Sequence, residues 1–189
     1  MRIGVYVGSF NPFHKGHKHV VDFLLDNDYI DKIIIIPTGN YWNKINLIST
    51  KDRVDMIKKY SSDKIIIEEN INNLPYTYQV LDKLKEIYPK DTLYLIIGSD
   101  NLVNFHLWKN IDSILENKVI VLSRGEINMQ EYINKFENSN NFIIANNFIK
   151  IDISSTEIRN MIKEKNYQDL SKYLDDNIIK YISENNLYS

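Results

Sequence analysis

The sequence predicts an α/β fold: a doubly wound parallel sheet of five to six strands, with helices on both faces and a C-terminal helical segment. Short runs rich in Ile and Val alternate with stretches whose apolar residues repeat at helical spacing. The runs are apolar at nearly every position, which is typical of parallel strands buried on both faces. Strands that alternate with helices favour right-handed crossovers within one sheet.

Six runs are predicted to be strands, and helical periodicity fills the intervals between them. The predicted strands are 1–7, 31–37, 64–67, 92–97, 118–122 and 141–144. The predicted helices have apolar faces within 20–25, 54–60, 80–87, 102–115 (two short helices) and 132–136, followed by two or three helices after Ser154. In such a sheet the ligand site is expected beyond the carboxyl ends of the strands.

Bulk properties favour a single domain over residues 1–189, with a sheet core at 1–150 and C-terminal helices at 151–189. Zero cysteines exclude disulfides and thiolate metal sites. A net charge of −2 with interspersed signs argues against a nucleic-acid partner. We expect a cytoplasmic protein without a membrane partner, because no signal-peptide pattern is present and the longest aliphatic run, Ile33–Ile36, is far shorter than the roughly 18 residues of a membrane span.

The first chemical feature is the stretch after the first predicted strand, Gly8-Ser9-Phe10-Asn11-Pro12-Phe13-His14-Lys15-Gly16-His17. A strand, a glycine-containing turn and a helix N-terminus together form an anion site, because backbone N–H groups and the positive end of the helix dipole converge there. Histidines at i and i+3 can face the same anion. The sequence therefore predicts a phosphate site at this turn.

Two other interpretations of this turn are open. It could be a helix start with incidental polar residues. It could also be a zinc site made by His14, His17 and His19, although the chain has no cysteine and no further histidine nearby. We assign no metal ligands among the side chains.

The second chemical feature is Asp152-Ile153-Ser154-Ser155-Thr156-Glu157-Ile158-Arg159. Ser154 and Glu157 fit a capping box, which by itself starts a helix without implying function. Ser155 and Arg159 then lie on one helix face at i and i+4. Hydroxyls, N–H groups of the first turn and one guanidinium would suit a triphosphate.

Both features resemble motifs of the nucleotidyltransferases, written G-[TS]-F-[DN]-P-x-H-x-G-H and I-S-S-T-x-I-R, and the resemblance runs from Gly8 to Arg159. It implies a Rossmann-like fold and an adenylyltransferase in which His14, His17 and Arg159 are catalytic. The turn Gly98-Ser99-Asp100 resembles the G-x-D turn of the family. The ATP contacts that the resemblance implies are Gly8, Ser9, Phe10, His14, Gly16, His17, Gly98, Asp100, Ser154, Ser155, Thr156 and Arg159.

Further residues resemble the subset of this family that handles pyridine mononucleotides, in which a Trp stacks on the pyridine ring. The implied mononucleotide contacts are Asn11, Lys44, Tyr76, Thr77, Trp108 and Arg124. The chain departs from the pattern of the subset at three places. Asn43 replaces a His before Lys44, Gln79 replaces an Asp, and the Pro expected after Arg124 is absent. The Tyr41-Trp42 loop has no assigned role.

The resemblance implies a nicotinate-nucleotide adenylyltransferase of NAD biosynthesis, which transfers AMP from ATP to nicotinate mononucleotide with Mg²⁺ and releases pyrophosphate. Alternative acceptors are nicotinamide mononucleotide, phosphopantetheine or an alcohol phosphate, the last by cytidylyl transfer. Two alternatives belong to other classes of protein: a non-catalytic nucleotide-binding regulator, and a fragment of a class I aminoacyl-tRNA synthetase, a group that shares the shorter H-x-G-H motif. The choice between acid and amide substrates and the oligomeric state, including a homo-oligomer, stay open.

Overall fold

The computed structural model describes residues 1–41, 46–123 and 125–189, and it confirms the predicted doubly wound α/β architecture. All six predicted strands are present and pair in parallel in the order β3-β2-β1-β4-β5-β6. Their bounds are β1 Arg2–Gly8, β2 Lys32–Pro37, β3 Ile65–Ile67, β4 Thr92–Gly98, β5 Lys118–Leu122 and β6 Phe142–Ala145.

Helices connect the strands and complete the C-terminal segment. Their bounds are α1 Lys15–Asp26, α2 Thr50–Lys58, α3 Thr77–Ile87, α4 Ser99–Val103, α5 Ile111–Ile114, α6 Met129–Ile133, α7 Ser155–Lys163, α8 Tyr167–Leu170 and α9 Asp176–Glu184. Within the described residues, none of these helices combines the length and the apolar character that crossing a membrane requires.

The sheet is buried on both faces, as the continuous apolar runs predict. In β2, Ile33 and Ile35 face one core cluster, whereas Ile34 and Ile36 face the other. This division follows from the two-residue repeat of a strand. Helices α1 and α2 cover the first face, and α3 and α4 cover the second.

A third core cluster joins the C-terminal helices to α2. Met56 of α2 is fully buried against apolar residues of the last three helices and their connections. These are Ile158, Ile162, Leu170, Leu174, Ile178 and Ile182. The Tyr181 hydroxyl adds polar contacts to the same helix, at 3.0 Å from Asp52 Oδ1 and 3.2 Å from Asp55 Oδ2. The C-terminal segment is thereby held beside the strand ends that form the site.

Arg53 of α2 is fully buried, and its guanidinium ties together the segments that follow β1 and β2. Nη1 donates to Ser9 O at 2.6 Å, and Nη2 donates to Thr38 O at 2.7 Å. Two more bonds reach Thr50 Oγ1 and Ile48 O. Burial lowers the pKa of the guanidinium, because the charged form loses hydration. The hydrogen bonds to the carbonyls compensate this loss.

We predict that Arg53→Met lowers the free energy of unfolding by about 3 kcal/mol, because the partly buried carbonyl oxygens of Ser9 and Thr38 lose their donors. Urea unfolding measures the change. Lys51→Met is the matched control on the same helix, because the Lys51 side chain is 81% exposed. We expect the control to stay within about 0.5 kcal/mol of the wild type. Equal stability of the two variants would contradict a structural role for Arg53.

Candidate active site

The site lies where the sheet changes winding direction, between β1 and β4. These strands are neighbours in the sheet, yet the chain winds outward from them in opposite directions. The segments that follow them therefore diverge and leave a crevice at their carboxyl ends. Residues 9–17 follow β1, and Asp100 follows β4.

An aromatic cluster holds the turn between β1 and α1 in an unusual backbone shape. Phe10 has a φ of 47°, in the left-handed region that bulky residues rarely adopt. Its ring is buried, with ring centroids 5.1 Å from Tyr6, 5.4 Å from Phe13 and 5.1 Å from His17. A Cβ on Gly8 would lie 2.9 Å from the same ring, which explains the glycine. Burial of Phe10 thus stabilises a turn that is locally unfavourable.

His14 and His17 cap helix α1 reciprocally. His14 Nδ1 accepts the Gly16 N–H at 3.1 Å, and His17 Nδ1 accepts the His14 N–H at 3.2 Å. The two rings stack with centroids 3.7 Å apart. Because each Nδ1 serves as an acceptor, each ring presents its Nε2 as an N–H donor.

The first turn of α1 is also suited to an anion. Its residues include no acidic side chain, so the positive end of the dipole is not neutralised within the helix. A Cβ on Gly16 would lie 3.0 Å from His14 Cε1 and Nδ1. The glycine therefore allows the imidazole to lie across the helix N-terminus.

Helix α7 docks directly onto this turn. The predicted capping box is confirmed, since Ser154 Oγ accepts the Glu157 N–H and Glu157 Oε2 accepts the Ser154 N–H. Ser155 Oγ donates to Pro12 O at 3.0 Å, and Arg159 Nη1 donates to Asn11 O at 2.9 Å. These groups therefore position the turn as well as facing the site. A guanidinium carries five N–H donors, so the bonds to Asn11 O and Thr156 Oγ1 use only part of its capacity.

Three cavities open around the turn and bring most of the predicted site residues together. The first, about 400 Å³, is lined among others by Gly8, Ser9, Phe10, His17, Thr77, Gly98 and Trp108. The second, about 320 Å³, is lined by His14, Gly16, His17, Asp100, Ser154 and Ser155 together with Phe148, Lys150 and Ile151. The third, about 260 Å³, is lined by Ser9, Phe10, Asn11, His17, Leu47, Ser155 and Arg159.

His17 lines all three cavities. The first cavity carries the aromatic face of Trp108, and the third carries the guanidinium of Arg159. Ligands that occupied the separate cavities would therefore approach one another at this imidazole. The arrangement suits a reaction between two anionic molecules.

Some predicted residues lie elsewhere. Tyr76 lines an adjoining cavity with Trp108 and Lys109, and the Lys109 ammonium lies 4.3 Å from its ring centroid. Thr156 accepts a hydrogen bond from Arg159 Nη2 at 3.0 Å and lines none of the three cavities. Lys44 and Arg124 lie outside the described residues, and so do Trp42 and Asn43.

The third clustered histidine does not join the other two. His19 Nε2 lies 2.9 Å from Ile149 O, and its ring stacks on Phe148. Across 1–41, 46–123 and 125–189, no group of three or more His, Cys, Asp or Glu side chains is arranged to hold a metal ion. The zinc interpretation therefore has no ligand set in this part of the chain.

Sequence reasoning missed several residues that line the cavities or brace them. Phe148, Lys150 and Ile151 precede the I-S-S-T stretch by only a few residues, so their proximity to it was a usable signal. No local signal marks Tyr188, whose hydroxyl donates to Asn11 Oδ1 across 177 positions.

Comparisons with known proteins agree with this geometry. The cytidylyltransferase-like family model matches residues 5–161. A probable nicotinate-nucleotide adenylyltransferase of Fusobacterium nucleatum is 40% identical over 192 residues, which cover 97% of this chain and 98% of that protein. A protein of the same description from Borreliella burgdorferi is 36% identical over 198 residues, covering 100% of this chain and 97% of the relative.

A solved structure gives the same result for the fold. Plasmodium falciparum nicotinic acid mononucleotide adenylyltransferase, in complex with NaAD, superposes with a TM-score of 0.82 and 28% identity, over 99% of this chain and 97% of that one. The turn between β1 and α1, the sheet order and the full-length similarity lead to one conclusion. The chain belongs to the cytidylyltransferase-like family and, within it, to the nicotinate-nucleotide adenylyltransferases.

Proposed function

We propose that the three cavities around His17 hold the two substrates of this adenylyltransferase, with their phosphates meeting at that residue. The enzyme transfers AMP from ATP to nicotinate mononucleotide and releases pyrophosphate. A phosphate oxygen of the mononucleotide forms the new bond to the α-phosphorus of ATP, and the bond to the bridging oxygen of the β-phosphate breaks. The observation that carries the assignment is that His17 lines all three cavities.

The first cavity suits the pyridine mononucleotide. Trp108 packs edge-on against Phe105, with ring centroids 5.0 Å apart, and is only partly buried. Its ring can therefore stack on a flat, electron-poor pyridine. The N-terminus of the 11-residue helix α3 lies at the same cavity through Thr77. Backbone N–H groups at a helix start favour a carboxylate over a neutral amide.

Gln79, which replaces the Asp of the family pattern, changes the charge at the start of α3. Its Oε1 accepts the Tyr76 N–H at 3.3 Å, so the side chain caps α3 without carrying a charge. The first turn of α3 contains no acidic residue. A substrate carboxylate at this helix end would meet no like charge from the turn, which supports the acid form of the mononucleotide as substrate.

We assign the second and third cavities to ATP. Phe148 and Ile151 offer apolar surface to an adenine ring, while the Asp100 carboxylate is an acceptor for ribose hydroxyls or the base. Ser155 and Arg159 line the third cavity and suit the β- and γ-phosphates. Asn11 lines the third cavity and not the first, so we assign it to ATP, whereas the resemblance implies a contact with the mononucleotide. Lys44 and Arg124 remain expected contacts of the mononucleotide.

Catalysis then rests on positioning and charge stabilisation. Two anions must approach, and the Nε2 donors of His14 and His17, the positive ends of α1 and α7 and the Arg159 guanidinium all act against their repulsion. These groups are held by the cap and by the docking of α7 before any ligand binds. A preorganised site of this kind needs no covalent enzyme intermediate.

We propose that Mg²⁺ enters with the ATP phosphates. Mg²⁺ commonly keeps several waters and is bound by one or two carboxylates plus substrate phosphates. The described side chains offer no group of three or more possible ligands, so we assign most of the ligands of the ion to the ATP phosphates and to water. When bound, the ion would offset the negative charge of the phosphates.

We predict that His17→Ala lowers kcat by about 10²–10³-fold, because it removes one donor from the point where the phosphates meet. Pyrophosphate release with ATP and nicotinate mononucleotide measures the effect. His106→Ala is the control, because His106 is exposed outside the three cavities. His17→Ala also removes the acceptor of the His14 N–H, so we expect its melting temperature to fall modestly while the protein stays folded. A loss of turnover confined to this folded variant would support the assignment. Near-normal turnover of a folded His17→Ala variant would refute it.

We predict that EDTA abolishes pyrophosphate release and leaves the melting temperature of the ligand-free protein unchanged. A metal carried by substrate adds nothing to the stability of the free enzyme, whereas a structural metal does. Differential scanning calorimetry and the turnover assay, each with and without EDTA, test the two parts. Added Mg²⁺ should restore turnover. A lower melting temperature in EDTA would reveal a structural ion and contradict the proposal that the ion enters only with ATP.

A further inference from the structure

The penultimate residue of the chain, Tyr188, reaches into the turn between β1 and α1. Its side chain is 9% exposed, and its hydroxyl donates to Asn11 Oδ1 at 3.0 Å. The backbone of Tyr188 has a φ of 65°, and Asn186 before it has a φ of 50°. An aromatic residue seldom adopts this conformation unless its surroundings impose it. The chain end is therefore folded back into the protein rather than trailing from α9.

Asn11 is the point at which four segments meet. Its Oδ1 also accepts the Ile48 N–H at 3.4 Å, and its Nδ2 donates to Asn46 O at 2.8 Å. Its backbone oxygen accepts the bond from Arg159 Nη1. The side-chain amide of Asn11 thus links the turn to residues 46–48 and to the chain end. The backbone oxygen of Asn11 links the turn to α7.

The surroundings of Tyr188 keep its hydroxyl in the role of a donor. Burial raises the pKa of the phenol, and the Asp52 carboxylate adds to the rise, although the positive charges of Arg159 and Arg53 act against it. The hydroxyl stays protonated at neutral pH. The Ile48 N–H and Asn46 O fix which end of the Asn11 amide is the acceptor, and the protonated hydroxyl donates to that oxygen.

We infer that Tyr188 is a positioning residue of the active site. It acts through Asn11 to hold the turn and residues 46–48 in the geometry that lines the third cavity. Asn11, Leu47 and Arg159 all line that cavity. Because the proposed function places the ATP phosphates there, the inference rests on that assignment. Loss of the hydrogen bond between Tyr188 and Asn11 should lower kcat/KM for ATP more than it changes KM for the mononucleotide, because the ring of the mononucleotide is assigned to the cavity with Trp108.

The test compares Tyr188→Phe with Tyr181→Phe. Each variant removes one phenol hydroxyl from the C-terminal segment, but Tyr181 contacts Asp52 and Asp55 of α2 and not the turn. For Tyr188→Phe we expect a 5- to 10-fold fall in kcat/KM for ATP, as for one lost hydrogen bond, with KM for nicotinate mononucleotide within about twofold. For Tyr181→Phe we expect wild-type kinetics, even where its melting temperature falls.

A double-mutant cycle shows whether the effect passes through Asn11. Adding Tyr188→Phe to Asn11→Ala should cause little further loss, because the acceptor is already gone. Should Asn11→Ala fail to fold, the comparison with Tyr181→Phe decides alone.

Two results would overturn the inference: wild-type kinetics in Tyr188→Phe, or an equal loss in both phenylalanine variants. Failure of Tyr188→Phe to fold would assign the hydroxyl to stability and would overturn it as well. Failure of the wild-type enzyme to release pyrophosphate would instead count against the proposed function.

Discussion

The capping of α1 by His14 and His17 is the interaction on which the site depends. Ser, Thr or Asp at these positions would also satisfy the first N–H groups of the helix, but their functional groups would be used up near the backbone. An imidazole has two nitrogens on opposite sides of its ring. The cap uses Nδ1, and the Nε2 N–H is the donor that a ring in this tautomer can offer to a ligand. Folding of this turn and preorganisation for catalysis are therefore the same event.

The turn is held mainly through its carbonyl oxygens. Arg53 binds Ser9 O, Arg159 binds Asn11 O and Ser155 binds Pro12 O, so side chains from α2 and α7 anchor the carbonyl oxygens of three residues in the turn. The Arg and Ser of the I-S-S-T-x-I-R stretch thus have a structural task that their resemblance to phosphate ligands does not reveal.

The sequence was most informative where a local rule applies. Strands such as β2 were predictable because burial on both faces leaves an uninterrupted apolar run, and the Ser154–Glu157 cap follows from a four-residue pattern. Long-range tertiary contacts were not predictable. Arg53 sits in a helix of polar composition, and nothing near Tyr188 in sequence indicates a contact with Asn11.

Tyr76 illustrates a third case. It is adjacent to Thr77 in the motif, yet it lines an adjoining cavity and not the first one. Lys44 and Arg124 remain predictions.

We propose that the N–H groups at the start of α3, with the uncharged cap of Gln79, receive the substrate carboxylate beside Trp108. The most direct measurement is kcat/KM for pyrophosphate release with ATP and Mg²⁺, compared between nicotinate mononucleotide and its amide analogue. We expect a strong preference for the acid, since the start of α3 supplies donors and a positive dipole end without an acidic side chain. Equal use of both substrates, or preference for the amide, would contradict it.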